Sequence, residues 1–125
     1  MNLLVDAVYI NSGGGLVLLK YLVDFLEDQS VDIFYLFDSR TEGVFQNIEP
    51  TRKMFISNSI IERHRFYKYN NEKFSHVICF GNIPPSFRLN AKVFVYFHQR
   101  LFLKIPNDFS IINRIQKLLR NYQHF

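Results

Sequence analysis

The sequence predicts an α/β fold, a parallel sheet with helices on both faces, and two observations carry that prediction. Short apolar runs alternate for the most part with longer segments of helical periodicity. The short runs are also apolar at successive positions rather than at every second one. Strands of that kind are buried on both faces, as parallel sheets under helices require.

The first run, residues 3–10 (LLVDAVYI), reads as a buried strand interrupted only by Asp6, and it ends at NSGGG. Over residues 16–28, Leu18, Leu19, Leu22, Val23 and Leu26 recur at helical spacing, with Lys20, Asp24, Glu27 and Asp28 on the opposite face. Residues 31–37 (VDIFYLF) form the next strand, rich in β-branched and aromatic side chains. The polar stretch from Asp38 to Thr51 reads as a loop before a short strand, RKMFIS. Ser59 and Glu62 then have the spacing of a capping box for a helix to about Tyr69.

HVICF (residues 76–80) is a further strand, stopped by Gly81. Pro84 and Pro85 keep residues 82–90 out of regular structure. KVFVYF (92–97) is the last strand, followed by His98 and Gln99. A final helix over about 109–122, capped by Asp108 or Ser110, places Ile111, Ile112, Ile115, Leu118 and Leu119 on one face.

Composition narrows the classes of function. The chain has 125 residues, enough for one domain with a sizeable core. With 48% of its residues apolar, it is not a disordered polymer. A formal charge of +4 suits nucleic acid, an anionic membrane or a phosphorylated small molecule, and selects none of them. Cys79 is the single cysteine, so no internal disulfide can form, and its place in HVICF predicts a small buried apolar residue. No run reaches the ~18 apolar residues of a membrane span, and no basic leader precedes the first strand, so a cytoplasmic protein is expected.

Ligands of open α/β sheets bind beyond the carboxyl ends of the strands. Three unusual segments fall there: residues 11–15, 81–85 and 98–100. Glycines before a helix leave backbone N–H groups open to an anion, and the helix dipole adds attraction. Gly13, Gly14 and Gly15 lack the Gly-Lys-Ser/Thr of a Walker loop and the spacing of a dinucleotide fingerprint. From the glycines alone, a tight ligand-free turn is an equally good account. Asn82, in a loop stiffened by prolines, is placed to face a ligand or to bond its own backbone. His98 at a strand end can donate to a sugar hydroxyl or a phosphate, or move a proton, although a lone histidine is commonly structural. His64, His76 and His124 have no metal-ligand spacing with it, so no metal is expected.

NSGGGLVLLKYLVDFL after a first strand, followed by VICFGNIPPSFRLNAKVFVYFHQRLFL, resembles the N-terminal half of bacterial retaining glycosyltransferases of the GT-B fold. The nearest group is the large nucleotide-sugar family 4, whose members build capsular and O-antigen polysaccharides. The resemblance covers residues 1–103, and the FGN.PP and YFHQ motifs carry most of it. It implies a Rossmann-like, acceptor-side domain. It assigns phosphate binding to Gly13, Gly14 and Gly15, contact with the donor sugar or the acceptor hydroxyl to His98 as the catalytic residue, and supporting wall positions to Asn82 and Gln99.

The resemblance further implies a nucleotide-sugar donor as substrate, no cofactor, and a glycan or lipid-linked acceptor. GT-B enzymes need a second Rossmann-like domain with most of the donor site and a pair of glutamates. Glu42 and Glu49 lie in the wrong domain for that pair, so the expectation is half an enzyme, inactive alone.

Two other classes compete. A stand-alone Rossmann-like module binding a nucleotide or phosphosugar without chemistry would hold a ribose with an acidic residue ending the second strand, and Asp38 stands there. An interaction protein would use Arg63, Arg65, Lys68 and Lys73 with Arg114, Lys117 and Arg120, although such runs are commonly solvated helix faces. No recognition motif accompanies the charge, which disfavours nucleic acid.

The resemblance also implies peripheral contact with the inner face of the plasma membrane, because membrane-associated GT-B enzymes carry basic, amphipathic helices on this half and residues 109–122 match that pattern. Each basic residue near an anionic surface is worth ~1 kcal/mol, so the attachment is reversible. The chain is expected to co-sediment with anionic liposomes at low salt and not with neutral ones; binding indifferent to lipid charge contradicts this.

Overall fold

The computed structural model describes residues 1–81, 83–86 and 88–95. Five strands, β1 (Asn2–Ala7), β2 (Asp32–Asp38), β3 (Lys53–Ile56), β4 (His76–Cys79) and β5 (Lys92–Val95), form one sheet in the order β3-β2-β1-β4-β5. Every pairing is parallel, with Leu3 opposite both Ile33 and His76. Helix α1 (Gly13–Glu27) joins β1 to β2 and helix α2 (Ile60–Asn70) joins β3 to β4. This is a Rossmann-like α/β arrangement. The expected end of the last strand, the segment with His98 and Gln99, the helix over 109–122 and Asn82 lie outside the described residues.

Alternation along the strands divides the core into two layers. Leu3, Val5 and Ala7 of β1, with Ile33, Tyr35 and Phe37 of β2, pack against the α1 stripe of Leu18, Leu19, Leu22, Val23 and Leu26. Leu4 and Val8, Leu36, Val77 and Cys79 form the opposite layer with Phe66 and Tyr67 of α2. A mid-helix glycine costs ~1 kcal/mol against alanine, whereas burying each leucine of the α1 stripe is worth ~1.5–3 kcal/mol. Four leucines and a valine outweigh three glycines, and the helix, which begins at Gly13, is longer than the apolar spacing alone predicts.

The polar loop between β2 and β3 is less simple than its composition suggests. It contains two single turns of 3-10 helix, Ser39–Thr41 and Pro50–Arg52, and it buries Phe45 and Ile48 against the α1 layer. The Phe45 ring stacks on Phe37 with centroids 4.1 Å apart, and Lys53 Nζ donates to the Phe45 carbonyl at 2.8 Å. Two apolar side chains thus do the covering that a helix does elsewhere. The outer strands differ from the expected burial on both faces: β3 is half-buried, and β5 leaves Val93 and Phe94 exposed. Sheet edges have neighbours on one side only.

At α2, Ser59 Oγ accepts the N–H groups of Ile61 and Glu62, as the capping spacing predicts. The Glu62 carboxylate turns instead to Ser57, accepting its N–H at 2.9 Å and its hydroxyl at 2.7 Å. Among the described residues, no helix is long and apolar enough to cross a membrane.

One charged pair crosses the α2 layer. Asp6, in the central strand, is 1% exposed, and Arg63, on the inner face of α2, is 5% exposed. Arg63 Nε donates to Asp6 Oδ2 at 2.8 Å, and Nη2 lies 2.8 Å from the same oxygen as an ion pair. The same guanidinium donates to the carbonyls of Ile83 at 2.6 Å and Pro84 at 3.0 Å, tying down the loop after β4. Tyr67 donates its hydroxyl to Asp6, and the Val8 N–H donates to Asp6 Oδ1 at 3.2 Å. Burial pushes the Asp6 carboxyl above its ordinary value, opposed by Arg63, Tyr67 and Val8. Arg63, grouped by the sequence with the basic surface residues, is a core residue, because a carboxylate in the middle of a buried strand needs a cation.

Replacing Arg63 by leucine is expected to destabilise the chain by ~3–5 kcal/mol, since it leaves Asp6 buried and uncompensated. Adding Asp6→Asn should recover part of the loss in urea unfolding. A single-variant loss under ~1 kcal/mol would contradict the pairing.

Candidate active site at the carboxyl edge of the sheet

The switch in strand order lies between β1 and β4, where chain connections leave in opposite directions; ligands of open α/β sheets bind at the carboxyl edge of such a point. The loops after β1, β2 and β4 meet there. The strand predicted over residues 3–10 ends at Ala7, and the chain turns with the Ile10 N–H bonded to the Ala7 carbonyl at 3.2 Å. Tyr9 takes φ +83°, a left-handed conformation that side chains other than glycine rarely adopt. Its ring lies 5.7 Å from the Arg63 guanidinium carbon, and its N–H donates to Asp38 Oδ2 at 3.2 Å. A stacked side chain and an anchored N–H together hold this backbone.

Gly13 follows with φ +67°, so one of the three glycines is required by the turn itself. Gly14 and Gly15 form the first turn of α1. Ser12 stands at the N-cap without making a side-chain cap, and no acidic residue occupies the first turn. The positive end of the helix dipole is therefore not offset by its own side chains.

From β4, the Phe80 N–H donates to the Asp6 carbonyl at 2.7 Å, and Gly81 comes against the turn after β1. A Cβ at Gly81 would approach the Val8 carbonyl oxygen to under 3.0 Å. Close approach of two backbones, and not a turn conformation, is why glycine stands here.

At the end of β2, Asp38 is fully buried. Its Oδ1 accepts the Arg40 N–H at 3.0 Å and Arg40 Nε at 2.9 Å, while Oδ2 accepts Arg40 Nη2 at 2.8 Å and the Tyr9 N–H. Arg40 holds the carboxyl below its ordinary value against the effect of burial, helped by the two backbone N–H groups. Four donors occupy the two oxygens, so a ribose has no access to Asp38. The feature that marked a nucleotide module is engaged within the protein.

Cys79 is buried, and burial pushes its thiol up to about 12, as suits an inert core residue and not a nucleophile. Among the described residues, no group of three His, Cys, Asp or Glu side chains could hold a metal ion.

Of the residues singled out from the sequence, Gly13, Gly14 and Gly15 stand at the expected edge; Asn82, His98 and Gln99 lie outside the described residues. Tyr9 and Arg40 join the site without having been singled out. Neither belongs to a motif; Arg40 reaches Asp38 from two residues along the chain, whereas Tyr9 reaches it only because β1 pairs with β2. No family model, curated protein or solved structure matches this chain.

Gly81→Ala is expected to destabilise by ~1–3 kcal/mol, because the methyl meets backbone that cannot swing aside. Gly43→Ala, with nothing within 4 Å, should be close to neutral in the same urea titration. Acid should act through Asp38. Its folded pKa lies below the unfolded value near 3.8, so its contribution is present above pH 3.8 and is lost as pH falls through the folded value. Asp38→Asn should flatten the loss of stability below about pH 4; an unchanged acid limb would contradict this.

Proposed function

We propose that this chain is the acceptor-side half of a GT-B glycosyltransferase, working at the carboxyl edge of its sheet on a nucleotide-sugar and a cell-surface polysaccharide or lipid-linked acceptor. One observation carries the reading: the glycine-bearing loops after β1 and β4 meet at the switch point of a β3-β2-β1-β4-β5 sheet. Such crevices hold phosphorylated ligands because first-turn N–H groups point outward there. In this reading the N–H groups of Gly13, Gly14 and Gly15 receive phosphate oxygens, and Asn82 and Gln99 form the wall. His98 bonds the transferring sugar, where a donor matters most as charge develops. A second Rossmann-like half supplies most of the donor contacts.

Titrating the chain with uridine or guanosine diphosphate sugars should produce weak, saturable shifts of the Gly13 to Gly15 amide resonances and no sugar transfer. Amides that stay still would sink the reading, and efficient turnover by these 125 residues would refute its half-enzyme part. In the complete enzyme, His98→Ala should lower turnover by ~10²-fold or more while the fold persists.

A further inference from the structure

The Asp38–Arg40 pair has an asymmetry that a purely structural ion pair does not need. Asp38 is fully buried and Arg40 is not: its side chain is 48% exposed. The Nε and Nη2 edge of the guanidinium is committed to the two carboxylate oxygens. That fork fixes the plane and rotation of the group, leaving the Nη1/Nη2 edge without a partner among the described residues. A guanidinium held along one edge is pre-organised along the other, and that free edge matches two oxygens of a phosphate. The position adds to this. Asp38 also accepts the Tyr9 N–H, so the guanidinium stands beside the strained turn that leads into Gly13.

We propose that Arg40 is a phosphate-binding residue at the β2 end of the crevice, gripping a phosphate group through its free Nη1/Nη2 edge; this rests on the reading of that crevice as a phosphorylated-ligand site. Asp38 offsets the Arg40 charge, so recognition depends on the bidentate hydrogen-bond geometry more than on net attraction. Lysine is therefore not an adequate substitute. The phosphate belongs to a phosphorylated acceptor or to the diphosphate of a nucleotide-sugar, and the chemistry at Arg40 is the same for both.

The test is to follow the Arg40 Nε–Hε resonance of the full chain, identified by its loss in Arg40→Lys, during titration with inorganic phosphate at constant ionic strength. A saturable shift supports the proposal, and Arg40→Gln should weaken phosphate binding by ~10-fold or more. If that variant fails to fold, the wild-type resonance alone decides. Glucose 1-phosphate and uridine 5′-diphosphate are then compared: tighter binding of the first assigns the acceptor phosphate, and of the second the donor diphosphate. A resonance that stays still while the Gly13 to Gly15 amides move overturns the role of Arg40 and leaves the glycosyltransferase reading intact. Neither signal moving overturns both. A linear shift matched by chloride means an adventitious ion only and overturns the proposal.

Discussion

The buried pair of Asp6 and Arg63 is the constraint on which the rest of this fold depends. A carboxylate in the central strand could not be buried alone, and a guanidinium on the inner face of α2 could not either. Together they fix α2 over β1, and the remaining donors of Arg63 fix the Ile83 and Pro84 carbonyls. Burial weighs against the Arg63 charge, while Asp6, Tyr67 and Cys79 keep its pKa above the ordinary value. Tyr9 and Tyr67 rings near the guanidinium, at 5.7 and 5.4 Å, exclude water from a polar cluster that an apolar pair could replace without loss of stability. What an apolar pair could not do is hold two loop carbonyls.

The carboxyl edge at the switch point is consequently built from backbone held in place by side chains beneath it. The β1 turn is tied to β2 through Asp38 and comes against β4 at Gly81, so the three loops are in direct contact. Left-handed backbone at a non-glycine residue costs on the order of 1–3 kcal/mol and persists only where neighbours over-determine it. Tyr9 satisfies that condition through its N–H and its ring. Strain held in this way shapes the entry to α1, whose first turn carries no acidic side chain to weaken its attraction for anions.

The carboxyl edge also shows why similar ion pairs can have unlike consequences. Arg63 spends its donors inside the protein, joining layers. Arg40 spends one edge on a buried carboxylate and keeps the other in solvent. Charge and residue type are the same, and burial separates an arginine whose donors are spent inside the protein from one that keeps an edge in solvent.

The sequence by itself determined the layers. Two-faced apolar runs, the α1 stripe and the Ser59 cap are local patterns, and each produced the element it predicts, because hydrophobic periodicity and capping act within a few residues. It also placed the glycines at the carboxyl edge, since a strand-to-helix turn is local too. The tertiary structure decided which polar residues became core and which became site. Asp6 and Arg63 are 57 residues apart, and Tyr9 and Asp38 are 29 apart. Nothing local distinguishes Arg63 from Arg65, or marks Phe45 and Ile48 in a polar loop as cover for α1. Those assignments depend on strand order and on which side of a helix meets the sheet, and packing free energy settles both only when distant segments meet.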